Sequence, residues 1–208
     1  MAPSARAAFD GTSLSMESDY DGLSFTSLDL SGQRGDNARF LDCVLTGCTL
    51  DDAHLSRARL VDCTFDAVQA GTVDFAGSTW IDVEATGCRF GAADLYGAEL
   101  TRVRFVRGKI DFANFRGATL VDVRFEGCRL READFGAATL KRVSLHGCEI
   151  DRMDVSGATL DAVDLSRASL REIGGLSALK GAILSRDQLS DLSPAIAAHL
   201  GIRVVDVG

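Results

Sequence analysis

The chain has 208 residues, of which 46% are hydrophobic and 25% are charged, and its formal net charge is −8 at pH 7. This apolar content is enough for the core of one domain. No apolar stretch approaches the roughly 18 residues of a membrane span, and no signal peptide precedes the first polar residues, so we expect a cytoplasmic protein without membrane association.

The first residues approach a regular pattern without reaching it. Met1 to Ala8 are mostly small residues, with a proline at position 3, and we expect them to be frayed. Phe9 and Leu14 are five residues apart, but they stand one residue out of phase with Tyr20 and the large apolar residues after it. The extra residue predicts a bulge ahead of the regular region.

Between residues 38 and 172 the sequence repeats every five residues. Large apolar residues occupy every fifth position from Phe40 to Leu170, and 25 of these 27 positions hold Leu, Phe, Ile, Val or Trp. Two positions before each is a small residue, and this second column contains 11 Ala, 7 Val and 6 Cys. A period of five fits neither an α-helix nor a flat strand, so we interpret it as an internal repeat.

A longer period of 20 residues sets the number of units in each coil. Small residues 20 positions apart match, as at Ala98, Ala118 and Ala138. Four units per coil predict a solenoid of square cross-section, in which like residues stack at about 4.8 Å. We therefore predict an all-β fold, a quadrilateral β-helix over residues 1–175, followed by a C-terminal cap over residues 176–208.

Several segments resemble the unit A-(D/N)-L-x-x of pentapeptide-repeat proteins. They are residues 93–97 (Ala-Asp-Leu-Tyr-Gly), 113–117 (Ala-Asn-Phe-Arg-Gly) and 133–137 (Ala-Asp-Phe-Gly-Ala). The resemblance covers about two thirds of the chain, and it implies that the β-helix is right-handed.

The sequence contains no recognisable catalytic or metal-binding set. All six cysteines fall in the small inward column, where Ala and Val replace them elsewhere, so we interpret them as buried and reduced: Cys43, Cys48, Cys63, Cys88, Cys128 and Cys148. His54, His146 and His199 are too far apart to join a nucleophile or a metal site, and no phosphate-binding glycine motif is present. We expect no enzymatic activity, no cofactor and no metal.

The repeat ends near Gly174, and helix signals follow it. Ser185 with Gln188 has the form of a capping box, whereas Ser193 before Pro194 predicts the start of a second short helix. Residues 202–205 (Ile-Arg-Val-Val) predict a terminal strand. Four apolar residues share one helical face and form a candidate homodimer seam: Leu189, Leu192, Ile196 and Leu200.

Charge is unevenly distributed along the chain. Residues 1–100 carry 16 acidic and 6 basic side chains, a balance of −10, whereas residues 101–208 carry 14 and 16, a balance of +2. One outer column, here named the acidic ladder, consists of Asp74, Asp94, Asn114, Asp134 and Asp154. With Asp82 and Glu99, its four aspartates form the candidate partner-binding face. The alternative is that Asp and Asn bind nearby backbone at turns.

Two further outer features are candidate contacts. Tyr96 and Phe112 point outward, and exposed aromatic residues are frequent contact anchors. A group here named the basic cluster either pairs with Glu126, Glu132 and Asp111 or binds an acidic partner. It consists of Arg89, Arg104, Arg107, Lys109, Arg124, Arg129 and Arg131.

The chain is most similar in pattern to the fluoroquinolone-resistance pentapeptide proteins of the Mfp and Qnr type. Residues 28–31, 37–40, 181–182 and 200–201 carry this resemblance. It implies a homodimeric DNA mimic that binds DNA gyrase, a type II topoisomerase, and modulates it or protects it from inhibitors without binding nucleic acid itself. The positive balance of residues 101–208 departs from this pattern, and a structural or adaptor rod without a topoisomerase partner remains the alternative.

Overall fold

The computed structural model describes residues 6–11 and 13–205, and it confirms the predicted right-handed quadrilateral β-helix with a C-terminal helical cap. About nine coils stack along one axis. The predicted fraying of the N-terminus and the position of Pro3 fall largely on residues 1–5, outside the described residues. Fraying is wrong for Ala7–Ala8, because these residues form a strand that pairs with Leu23 and Ser24.

Three parallel sheets run along three faces of the solenoid. The first sheet contains Ala7–Ala8, Leu23–Thr26, Val44–Thr46, Thr64–Asp66, Glu84–Thr86, Arg104–Val106, Arg124–Glu126, Ser144–His146, Val163–Asp164 and Ala182–Ile183. The second contains Asp19–Asp21, Arg39–Leu41, Arg59–Val61, Thr79–Ile81, Glu99–Thr101, Thr119–Val121, Thr139–Lys141 and Thr159–Asp161. The third contains Ala53–His54, Gln69–Asp74, Arg89–Asp94, Lys109–Asn114, Arg129–Asp134, Glu149–Asp154 and Ser169–Gly174.

The fourth face is built from turns that bond to the next coil in the same direction. Phe75 N donates to Asp94 O at 2.7 Å, and Gly77 N donates to Tyr96 O at 2.8 Å. In the sheets the register is 20 residues, as in the pairing of Phe105 with Phe125. The 20-residue period of the sequence is therefore the length of one coil.

The interior contains stacked rings and one buried polar pair. Phe105 and Phe125 lie 4.8 Å apart between ring centroids, at 9°. Ser78 interrupts the small column because its Oγ accepts a hydrogen bond from Nε1 of the buried Trp80, at 2.8 Å. A buried indole N–H without such a partner would be costly.

The six cysteines are buried and free, as predicted. Their thiols donate to carbonyl oxygens of the neighbouring coil, for example Cys63 Sγ to Phe40 O at 3.3 Å. Burial raises the pKa of the Cys88 thiol to about 11. A small apolar environment, with a carbonyl in reach, accounts for the exchange of Cys with Ala and Val in this column.

The C-terminal segment forms one helix, α1, from Arg186 to His199. The capping box at Ser185 and Gln188 is confirmed. The predicted second start at Ser193 is wrong because Pro194 lies inside α1. Proline leaves the carbonyl of Ser190 without its usual N–H donor, and Ser193 Oγ donates to that oxygen at 2.7 Å instead.

Two further contacts define the end of the molecule. Nε2 of Gln188 donates to the carbonyl oxygens of Leu165 and Ala168, both at 2.8 Å, and so attaches α1 to the last coil. The short 3-10 helix Leu176–Ala178 precedes it. The predicted terminal strand at residues 202–205 is wrong, since these residues are exposed and join no sheet among the described strands.

Candidate partner-binding surfaces

The acidic ladder lies where the strands of the third sheet end and the fourth face begins. One side-chain oxygen of each residue accepts a hydrogen bond from the backbone N–H two residues later. The donors include Ala76 to Asp74 and Ser156 to Asp154, both at 2.8 Å, and Arg116 to the Asn114 amide at 3.1 Å. The structural reading of the ladder therefore holds, although in Asp74, Asp94 and Asp154 only one of the two oxygens is used in this way.

Electrostatic neighbours differ along the ladder. The pKa of Asp154 is lowered because Ser156 donates to it and because Arg116 and Arg152 lie nearby. Asn114 Nδ2 donates to Asp94 Oδ1 at 2.8 Å. Arg116 lies 3.3 Å from Asp134 Oδ2, an exposed ion pair of small energetic value.

The other two predicted acidic residues lie on the second sheet, away from the ladder. Glu99 begins the strand Glu99–Thr101, is exposed, and has no ion-pair partner in the part of the chain that is described. Asp82 follows the strand Thr79–Ile81 at the opposite edge and accepts two hydrogen bonds from Arg102, at 2.6 and 2.5 Å. This guanidinium lowers the pKa of Asp82 and neutralises its charge. The six predicted residues therefore do not form one continuous surface.

Aspartate and arginine 20 residues apart form a recurring ion pair that sequence reasoning missed. Asp122 and Arg142 repeat the geometry of Asp82 and Arg102, with Arg142 Nε at 2.6 Å from Asp122 Oδ1. Arg39 pairs in the same way with Asp19. Opposite charges at the same position of consecutive coils were the available signal, because like positions stack directly upon one another.

The basic cluster is partly neutralised. Arg104 pairs with Glu84 at 2.8 Å and with Glu126 at 3.2 Å, and Lys109 pairs with Asp111 at 3.2 Å. The predicted pairing with Glu132 is not among the ion pairs of the described residues. Four members have no ion pair within the described ranges: Arg89, Arg107, Arg124 and Arg129.

Both predicted aromatic residues are exposed, Tyr96 to 58% and Phe112 to 47%. Phe112 stands in a groove of about 500 Å³ that runs along the end of the third sheet. Alanines form its floor and charged residues its walls. The lining consists of Ala92, Ala93, Asp94, Phe112, Ala113, Asn114, Glu132, Ala133, Asp134, Arg152 and Asp154.

The candidate dimer seam divides between two environments. Leu192 packs against the solenoid core of its own chain, and Ile196 is partly buried. Leu189 and Leu200 are exposed, at 53% and 65%. The same end of the molecule exposes further apolar side chains that sequence reasoning did not assign to the seam: Ile183, Ile202, Val204 and Val205.

Within residues 6–11 and 13–205, no three His, Cys, Asp or Glu side chains come together in a way that could hold a metal ion. No helix in that part of the chain is both long enough and apolar enough to cross a membrane.

A family model described as "Pentapeptide repeat region" matches residues 38–115 and 78–155, which together exceed half of the chain. No curated protein sequence matches significantly. Among solved structures, a trypsin-treated variant of QnrB1, a plasmid-mediated fluoroquinolone resistance protein, is 19% identical with a TM-score of 0.45. That alignment covers 93% of this chain and 98% of that one.

Two further structures are similar to this chain at low identity. Full-length QnrB1 is 16% identical, with 83% and 99% of the two chains covered and a TM-score of 0.43. HetL of the cyanobacterium Nostoc, described as involved in the regulation of heterocyst differentiation, is 21% identical, with 89% and 93% covered and a TM-score of 0.37.

Proposed function

The chain belongs to the pentapeptide-repeat family, and we propose that it is a non-catalytic DNA mimic that binds DNA gyrase in place of the duplex. In this role it modulates the enzyme and protects it from fluoroquinolones or other gyrase inhibitors. The observation that carries the proposal is the acidic ladder, which presents carboxylates at a constant spacing along one edge of a straight rod.

Dimensions and charge support this role in different degrees. Nine coils at about 4.8 Å give a rod of roughly 40 Å, which matches a little more than one turn of B-DNA. Duplex DNA carries one negative charge per roughly 1.7 Å, so the net charge of −8 reproduces less than half of the duplex charge over that length. Shape with partial charge is therefore the basis of the mimicry.

We also propose a homodimer that forms through the C-terminal end. Leu189, Leu200 and the exposed residues 202–205 give this end an apolar surface that the chain itself does not cover. An end-to-end dimer would double the rod to about 80 Å, and its two ladders would extend over more of the enzyme. We place the protein in the cytoplasm, where gyrase acts.

The experiment is a gyrase supercoiling assay titrated with this protein, with and without a fluoroquinolone. We expect micromolar protein to change supercoiling and to reduce the cleaved complexes that the drug traps. No effect of the dimer on either reaction at these concentrations would contradict the proposal.

The second candidate function is a structural or adaptor rod whose contact surface is the basic cluster. It is favoured by the arginines without an ion pair in the described residues, such as Arg124 and Arg129, which are available to an acidic partner. In that case the protein would bind DNA in a gel-shift assay or an acidic protein, and gyrase would be unaffected.

A further inference from the structure

We propose that the groove beside Phe112 binds an arginine side chain of the partner protein, in preference to lysine. The inference rests on the proposed function only in naming that partner as gyrase, since the groove itself can be tested with peptides.

Phe112 is held in the middle of the outer surface of the third sheet with one side uncovered. It lies on the strand Lys109–Asn114, and its partners in register are Ala92 on the preceding coil and Glu132 on the following coil. On the Ala92 side the neighbouring side chain is a single methyl group. The ring therefore has an open approach from that direction, and 47% of the residue is exposed.

The ring already has one guanidinium against it. Cζ of Arg131 lies 6.0 Å from the centroid of Phe112, within the range of a cation–π contact. Arg131 belongs to the following coil, so it leaves the side near Ala92 open. A second planar cation can approach from there without displacing the first.

The walls of the groove are complementary to a cation. They carry the four carboxylates of Asp94, Glu132, Asp134 and Asp154 against the one guanidinium of Arg152, a balance of −3. Nε of Arg152 lies 3.7 Å from Glu172, on the following coil and outside the groove. The hydrogen bonds of Asp94 and Asp154 use Oδ1 alone, so Oδ2 remains available to a donor.

Arginine fits this combination better than lysine. Its planar guanidinium can stack on the ring and donate several N–H groups to carboxylates at the edge, whereas an ammonium is a compact, strongly hydrated charge. The groove is open along the rod and spans four coils, from Ala92 to Arg152. This shape suits a side chain presented by an extended surface.

The test compares an oligo-arginine and an oligo-lysine peptide of equal length and charge, with binding measured by calorimetry on the full-length protein. We expect the arginine peptide to bind about two- to fivefold more tightly, the ratio that an exposed cation–π contact provides. The variant Phe112→Ala should remove this ratio while both peptides keep their salt-dependent attraction. Ala92 occupies the equivalent position on the preceding coil, so the substitution is compatible with the strand.

The matched control is Tyr96→Ala, which removes an exposed aromatic residue that does not line the groove. It should leave the arginine preference unchanged. Equal affinity of the wild-type protein for the two peptides, or a preference that survives Phe112→Ala, would overturn the inference. An arginine preference without any effect on gyrase would instead retain the groove and reject the proposed function. Gyrase modulation without the preference would reject the groove alone.

Discussion

Individual side chains join neighbouring coils from the inside as well as from the outside. Inside, the thiols of Cys43 and Cys128 donate to carbonyl oxygens at 3.3 and 3.2 Å. Outside, Asp164 accepts hydrogen bonds from Ser166 and from His146 of the preceding coil. Both kinds of contact can be examined separately from any partner.

The first residue-scale prediction concerns the six thiols. Because all of them are buried, a thiol reagent should label the native protein slowly and should reach six groups after denaturation. Fast labelling of two or more groups in the native protein would show that the small column does not face inward.

The second residue-scale prediction concerns Asp164, whose pKa is lowered to about 2 by hydrogen bonds from Ser166 and His146. The unfolded-state pKa is near 3.8. Since the folded state favours the carboxylate, its stabilisation is complete above pH ~4 and is lost as pH falls from about 4 to about 2. Asp164→Asn should therefore lower stability by roughly 1–2 kcal/mol at pH 7, a range reduced for partial exposure, and by little near pH 2.

Urea unfolding at the two pH values measures this difference, and Asp161→Asn is the control. Asp161 lies at the end of a strand on the second sheet and is exposed, so its replacement should have little effect at either pH. A stability loss of Asp164→Asn that is independent of pH would contradict the assigned hydrogen bonds.

At the scale of elements, repetition made most of the fold predictable. Each strand stacks on a strand 20 residues away, so one period specified the sheets together and no local choice was independent. The C-terminal segment has no such repetition. There the Ser193 and Pro194 signal failed because α1 was already capped at Ser185, and the Ser193 hydroxyl replaces the donor that proline lacks.

The element-scale prediction concerns the dimer. Leu200→Asp introduces a charge into the exposed apolar end of α1 and should convert the dimer to monomer, because burial of an unpaired carboxylate is costly. Sedimentation measures the mass, and circular dichroism should show an unchanged β-helix.

The comparison variant is Leu192→Ala. Leu192 packs on its own solenoid, so this change should lower the stability of each chain by about 2 kcal/mol or more but should leave the dimer mass unchanged. An unchanged mass for Leu200→Asp would place the dimer contact elsewhere.

At the scale of the whole molecule, the outer columns were predictable but their pairing was not. The ladder and the exposure of Tyr96 and Phe112 followed from which positions point outward. Asp82 was assigned to the same face as the ladder, although its carboxylate is satisfied by Arg102, because ion pairing depends on which charges stack on consecutive coils. The groove was not predictable, since it arises where Ala92 stands beside Phe112 in register.

The whole-molecule prediction is that charge on the ladder drives partner binding. Replacing its four aspartates by asparagine removes charge and keeps the turn hydrogen bonds, as the native Asn114 demonstrates. Four exposed contacts at roughly 0.3–1 kcal/mol each correspond to about a tenfold or greater loss of gyrase affinity, which should also weaken as salt rises. The matched control replaces Arg89, Arg124 and Arg129 by glutamine and should leave affinity unchanged.

The most direct test of the central claim is competition between this protein and DNA for gyrase. With a labelled duplex bound to the enzyme, added protein should displace the duplex, and raising the duplex concentration should raise in proportion the protein needed for half displacement. The variant with four asparagines in the ladder should compete at least about tenfold less well. Binding of this protein to gyrase without displacement of the duplex would contradict DNA mimicry, and so would displacement that the asparagine variant performs equally well.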